Sequence, residues 1–108
     1  MQDYPVRATH RGNLATEALA ELGRVHFDSS AVDEGAVVVS YGAISRLSAR
    51  ANGRELRIDV TMTPKVPEDV ARETIRRYNA FLEAVTGYSS KERAKRLRKS
   101  PGGPSPGA

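Results

Sequence analysis

The chain has 108 residues, of which 39% are apolar and 28% charged, with a net charge of +4 and no cysteine. That length supports one hydrophobic core, and no apolar run approaches the roughly 18 residues of a membrane span. The absence of cysteine excludes disulfide scaffolds, thiol catalysis and thiolate metal sites, and fits a cytoplasmic protein.

The charge is unevenly placed. Residues 89–108 contain Lys91, Arg93, Lys95, Arg96, Arg98 and Lys99 against Glu92 alone, which is +5. Residues 1–88 hold eleven Lys/Arg and twelve Asp/Glu, which is −1. The basicity belongs to the C-terminal end and not to the body.

In chain order, Tyr4-Pro5-Val6-Arg7 reads as a first strand, with Pro5 suited to an edge. A helix follows from Leu14 to Leu22, where Leu14, Ala18 and Leu22 recur four apart, Asn13 serves as N-cap and Gly23 as stop. Val25-His26-Phe27 reads as a short strand, and Asp28 to Gly35 as a polar loop. Ala36 to Tyr41 is strongly β, with three consecutive valines. If Val38 faces the helices, Val37 and Val39 form an apolar strip on the other face, a candidate interface for a homodimer or a docked partner.

Asn52-Gly53 between two alternating runs is a strong hairpin signal. A type I′ turn there would set Arg50 opposite Glu55 and Arg46 opposite Asp59. Ala49, Leu56, Leu47 and Ile58 would share the other face. Ile44 breaks the parity of Leu47 and Ala49, so a bulge is expected near Ser45. Pro67-Glu68-Asp69 then opens a long helix with the apolar stripe Val70, Thr74, Ile75, Tyr78, Phe81, Leu82 and Val85, ended by Gly87. Ser89-Ser90-Lys91-Glu92 has the pattern of a capping box that starts a basic helix to about Lys99.

The expected fold is α+β. A single antiparallel sheet carries two helices on one face, in the order β-α-β-β-β-β-α. Residues 1–88 form the body, 89–99 a basic helical appendage, and 100–108 a flexible Pro/Gly-rich tail.

Two segments, Tyr41-Gly42-Ala43-Ile44 and Phe81 to Arg93 (FLEAVTGYSSKER), resemble a small archaeal family, an uncharacterised domain of about this length from methanogens and their relatives. The resemblance covers most of residues 1–99, and TGY-x-x-KER is its most specific part. The family usually has Thr where Ser89 or Ser90 stands, which keeps the capping chemistry. The resemblance implies an archaeal, cytoplasmic protein and carries no activity with it.

Three features bear on function. Lys91, Lys95, Arg98 and Lys99 follow an i, i+4, i+7, i+8 spacing, flanked by Arg93 and Arg96. That makes a cationic face able to neutralise phosphates of RNA or DNA without reading sequence. The bland alternative is a solvated, frayed helix that aids solubility. The outward hairpin face (Arg46, Ser48, Arg50, Glu55, Arg57, Asp59 and Thr61) has no aromatic for base stacking, so it reads as a solvated charged surface. Tyr88 reads as a hinge pin that packs back on the long helix. For catalysis, His10, His26, Asp28, Ser29 and Ser30 can be arranged on paper into a hydrolytic site, but no spacing demands it. No cofactor or metal motif is present. Only Ala94 and Leu97 offer the basic helix apolar contact, too little for a membrane anchor.

Overall fold

The computed structural model describes residues 2–99, with the backbone alone for Arg96–Lys99. The tail expected to be flexible lies outside the described residues. Five strands, β1 (Gln2–Pro5), β2 (Ala31–Asp33), β3 (Ala36–Tyr41), β4 (Ile44–Asn52) and β5 (Glu55–Met62), pair antiparallel in the order β1-β5-β4-β3-β2. A 3-10 segment (Ala8–Leu14) precedes helix α1 (Thr16–Phe27); α2 (Glu68–Thr86) and α3 (Ser90–Lys99) follow the sheet. Leu19 and Phe27 of α1 and Phe81, Leu82 and Val85 of α2 bury one sheet face together with Val37, Val39, Leu47, Ala49, Leu56 and Ile58. The α+β layout with both helices on one face is as expected, with several local differences.

The second strand is Ala31–Asp33, not Val25–Phe27. Val25 to Phe27 stay helical because Leu19, Gly23 and Phe27 recur every four residues and all three are buried. Gly23 is a contact point inside the helix and not its stop. A Cβ there would lie 3.3 Å from both Ser30 Cβ and Val39 Cγ1. Asp28, at φ 69, ends α1 instead. The segment expected as a polar loop turns back at Glu34-Gly35, both at positive φ, and so forms β2. Asn13 does not cap α1; its side chain donates to Ala84 O at 3.1 Å and ties the 3-10 segment to the end of α2.

Val37 and Val39 lie in the core beneath the helices, the reverse of the expected interface strip. Val38 takes the other face with Ser48 and Ala31. Ile75 is likewise outside the core, 52% exposed, while Thr74 is fully buried. Its Oγ1 donates to Val70 O at 2.7 Å and accepts the Ala43 N–H at 3.0 Å, which pins α2 over the Gly42-Ala43 turn.

The hairpin forms two residues away from the expected register. Asn52 pairs with Glu55, Arg50 with Arg57 and Ala49 with Ile58. Gly53 has φ 64 while Arg54 does not reach positive φ, the pattern of a type II′ turn. A shift of two preserves which residues are inward, so Leu47, Ala49, Leu56 and Ile58 still share the buried face. The expected charge pairs are lost. Arg57 instead donates twice to Asp3 of β1, at 2.9 and 3.2 Å, and this hydrogen-bonded pairing holds the Asp3 carboxyl below its ordinary pKa. The β4 bulge falls at Ser45, as expected: the register shifts between Ile44 and Arg46 against β5 and between Val39 and Tyr41 against β3.

Candidate nucleic-acid interface

The basic helix is attached to the body through one of its own cations. Helix α2 ends at Thr86, whose buried hydroxyl donates to Leu82 O at 2.6 Å and accepts the Tyr88 N–H at 3.1 Å. Gly87 follows at φ 77 and donates its N–H to Glu83 O at 2.8 Å. A Cβ on Gly87 would sit 2.7–2.9 Å from the His10 ring, so the left-handed turn and the close approach both require glycine.

Tyr88 is buried. The Arg7 guanidinium lies 4.5 Å from its ring centroid, a cation–π distance. Arg7 also donates from its backbone N–H to Thr86 O and from Nε to Gly87 O, at 2.8 and 3.2 Å. Its Nη2 lies 3.4 Å from Glu92 Oε2. Tyr88 is thus held in the interior with Arg7 as its cover.

Ser89 and Glu92 form the capping box expected from their spacing. Ser89 N–H donates to Glu92 Oε1 at 3.1 Å and Glu92 N–H to Ser89 Oγ at 3.3 Å. One turn in, Arg93 points inward and is 3% exposed. Its guanidinium donates to Tyr88 O at 2.7 Å and Asn79 Oδ1 at 3.1 Å, and lies 6.0 Å from the Tyr4 ring centroid. Among the described residues no carboxylate lies within salt-bridge distance of it. Burial accordingly pushes its pKa down. Beneath it, Tyr4 Oη and Tyr78 Oη are 3.5 Å apart, and burial raises the Tyr78 pKa.

These contacts divide the basic residues. Arg93 is part of the helix's anchor and cannot also meet a phosphate. Lys91 and Lys95, opposite it on the helix, are exposed and make no ion pair among the described residues. Arg96, Arg98 and Lys99 lie in the last turns of α3, and their side chains fall outside the described residues. Nothing local marks Arg93 as different from its neighbours. Its inward position follows from Tyr4 and Asn79, which other elements bring to it.

The paper arrangement of hydrolytic residues does not assemble. His10 sits against Gly87 just past the end of α2, whereas His26 meets Phe81 edge-on further back along that helix, with centroids 6.2 Å apart. Burial, then the nearby Arg77 charge, lower the His26 pKa. Arg77 donates to His26 O at 3.0 Å and lies 3.6 Å from Asp28 Oδ1, so this cluster closes the end of α1. Among the described residues no group of three His, Asp or Glu side chains is placed to hold a metal ion, and no helix is long and apolar enough to cross a membrane.

No curated protein matches the chain. Among solved structures, the NMR solution structure of the hypothetical protein TA0095 from Thermoplasma acidophilum is similar in fold, with a TM-score of 0.68 and 25% sequence identity over 93% of this chain and all of that one. The family model for a domain of unknown function, DUF5611, matches residues 1–99, from the first strand to the end of the docked basic helix, and the chain belongs to that family.

Proposed function

We propose that the chain binds nucleic acid, alone or within a ribonucleoprotein, through α3, with Lys91, Lys95, Arg96, Arg98 and Lys99 as the phosphate-contacting residues. One observation supports this reading above the others: α3 is anchored by Arg93 and Tyr88 while Lys91 and Lys95 stand exposed, with no ion pair among the described residues. A helix of ten residues is marginal in water by itself, so the anchor gives the cations a fixed spacing that a frayed tail lacks. The body beneath carries a charge near zero, so the field of the protein is concentrated on this helix. Phosphate contacts of this kind position a protein without selecting sequence. The alternative of self-association through the open sheet face loses its apolar strip, because Val37 and Val39 face the helices.

The test is fluorescence anisotropy with labelled single- and double-stranded RNA and DNA. It compares the full chain with a variant carrying Ala at Lys91, Lys95, Arg98 and Lys99. The wild type should bind with a salt slope of about −0.7 to −0.9 per neutralised phosphate. The variant should lose roughly three units of that slope while its thermal midpoint stays unchanged. Equal affinity in the variant refutes the reading. Truncation after Tyr88 is the wrong comparison, because it also removes Arg93 and the capping box and so disturbs the body.

A further inference from the structure

The two edges of the sheet are finished differently. The β1 edge carries Pro5, which has no N–H to offer, and α3 packs against this strand. At the other side β2 is three residues long and pairs with β3 only as far as Val38. Strand β3 continues to Tyr41 with no strand beside it on that side. Ladder alternation turns the N–H and C=O of Ser40 the same way as those of Val38, toward this open half-edge. The chain upstream of Ala31 cannot extend the pairing. Asp28 turns it at φ 69, and the Ser30 hydroxyl is drawn off to Ala20 O at 2.7 Å.

A cleft of about 420 Å³ results, lined by Ser29, Ser30, Val38, Ser40, Ser45 and Arg46 among others. Arg46 is the one charged residue in that lining. Its contact with Asp33 is long, 3.8 Å, between side chains 61% and 67% exposed. An exposed pair of this kind contributes little, so an incoming carboxylate can replace Asp33 without a large cost. Natural edges are commonly blunted with proline, lysine or inward charge, and Val39-Ser40-Tyr41 carries none of these.

We propose that this half-edge is a peptide-binding site, in which an extended segment of a partner protein adds a strand beside Ser40 and seats a carboxylate, from an acidic side chain or a free C-terminus, on Arg46. Main-chain pairing with a sheet edge supplies affinity in this mode, and pockets beside the edge supply selectivity. A lone oxyanion would use Arg46 and the hydroxyls but leave the Ser40 backbone unpaired. A second copy pairing through the same edge would bring two Arg46 side chains to one seam. Each is disfavoured for that reason.

Random nine-residue peptides with free C-termini, displayed and selected against the full chain, provide the probe. Selected peptides are then made in labelled form and titrated by anisotropy and by amide NMR. The expected result is enrichment of an acidic residue, or binding that is lost when the peptide's C-terminus is amidated, with shift changes confined to 29–31, 38–40 and 45–46 and slowed exchange of the Ser40 amide. Arg46→Ala should weaken binding about tenfold, as loss of one charge-assisted hydrogen bond does. Ser40→Pro, which removes the edge donor, should abolish binding. Arg46 is exposed, so its variant keeps the test readable if Ser40→Pro does not fold. The proposal is overturned by any of four results: no enriched peptide, binding that maps elsewhere, the same shifts from inorganic phosphate alone, or concentration-dependent shifts of these residues in the protein by itself.

Discussion

Replacing Arg93 by methionine keeps an unbranched chain beside Tyr4 but removes both guanidinium hydrogen bonds, to Tyr88 O and Asn79 Oδ1. A hydrogen bond from a charged donor contributes about 1.5–3 kcal/mol. The guanidinium is also held out of water without a carboxylate, which offsets part of that gain. A net loss of about 2–3 kcal/mol is expected when both are weighed. The loss falls first on α3, because a helix this short does not persist once undocked. Amide exchange in α3 should therefore accelerate by about 30- to 150-fold in Arg93→Met, since each 1.36 kcal/mol is a factor of ten. If α3 instead unfolds together with the body, the thermal midpoint should drop by about 8–24 °C, at roughly 4–8 °C per kcal/mol for a domain of this size. Arg93→Lys should recover little, because a compact ammonium cannot span both acceptors as the planar fork does. Hydrogen exchange by NMR, with a thermal melt on the same samples, reads both quantities. Unchanged protection in α3 together with an unchanged midpoint in Arg93→Met would show that the helix is held by something else.

Gly87→Ala should destabilise by about 1–2 kcal/mol from the left-handed backbone alone, and further through the His10 ring. Adding His10→Ala should return the second part, visible as coupling in a double-mutant cycle of thermal midpoints. Thr74→Val keeps shape but leaves the Ala43 N–H unpaired, at about 1–3 kcal/mol; Thr74→Ser should keep most of the stability in urea titrations. Asp3→Asn should lower the urea midpoint at pH 7. The folded-state pKa of Asp3 lies below its ordinary value of 3.8, so its stabilisation is complete above that value and lost as pH falls through the folded one. The difference between wild type and variant should therefore close below about pH 4. A difference that persists undiminished at pH 2 would contradict the Asp3–Arg57 assignment.

What the sequence made legible follows the range of the signals involved. The capping box at Ser89 and Glu92 is a four-residue pattern and forms as its spacing implies. The Ser45 bulge was visible because Ile44 and Leu47 had to face the same core despite opposite parity. The hairpin register was not, since apolar alternation is blind to a slip of two. The charge partner that Arg57 takes is Asp3 of β1, 54 residues away and outside the hairpin. The faces of the β3 valines are not legible, because a fully apolar run has no alternation to read, and Val37 and Val39 turn to the core. Val25-His26-Phe27 has strand propensity, yet Phe27 completes a helical stripe that only the packing of α1 on β3 rewards. In the candidate interface, the position of α3 was legible, whereas the inward turn of Arg93 depended on partners from β1 and α2.

The contacts of Arg7 with Gly87 and of Arg93 with Tyr4 join residues 80 and 89 positions apart along the chain. During synthesis, β2, β3, β4 and β5 can zip in succession as each emerges, since every one of them pairs with its immediate neighbour. Strand β1, made first, has no partner until β5 appears, and its cover arrives only with α3. The earliest segment thus waits longest as an unprotected strand, and the basic helix that closes over it arrives last. Ribosome-bound chains lacking α3 should accordingly expose the Tyr4 region to protease after the rest of the sheet has become resistant.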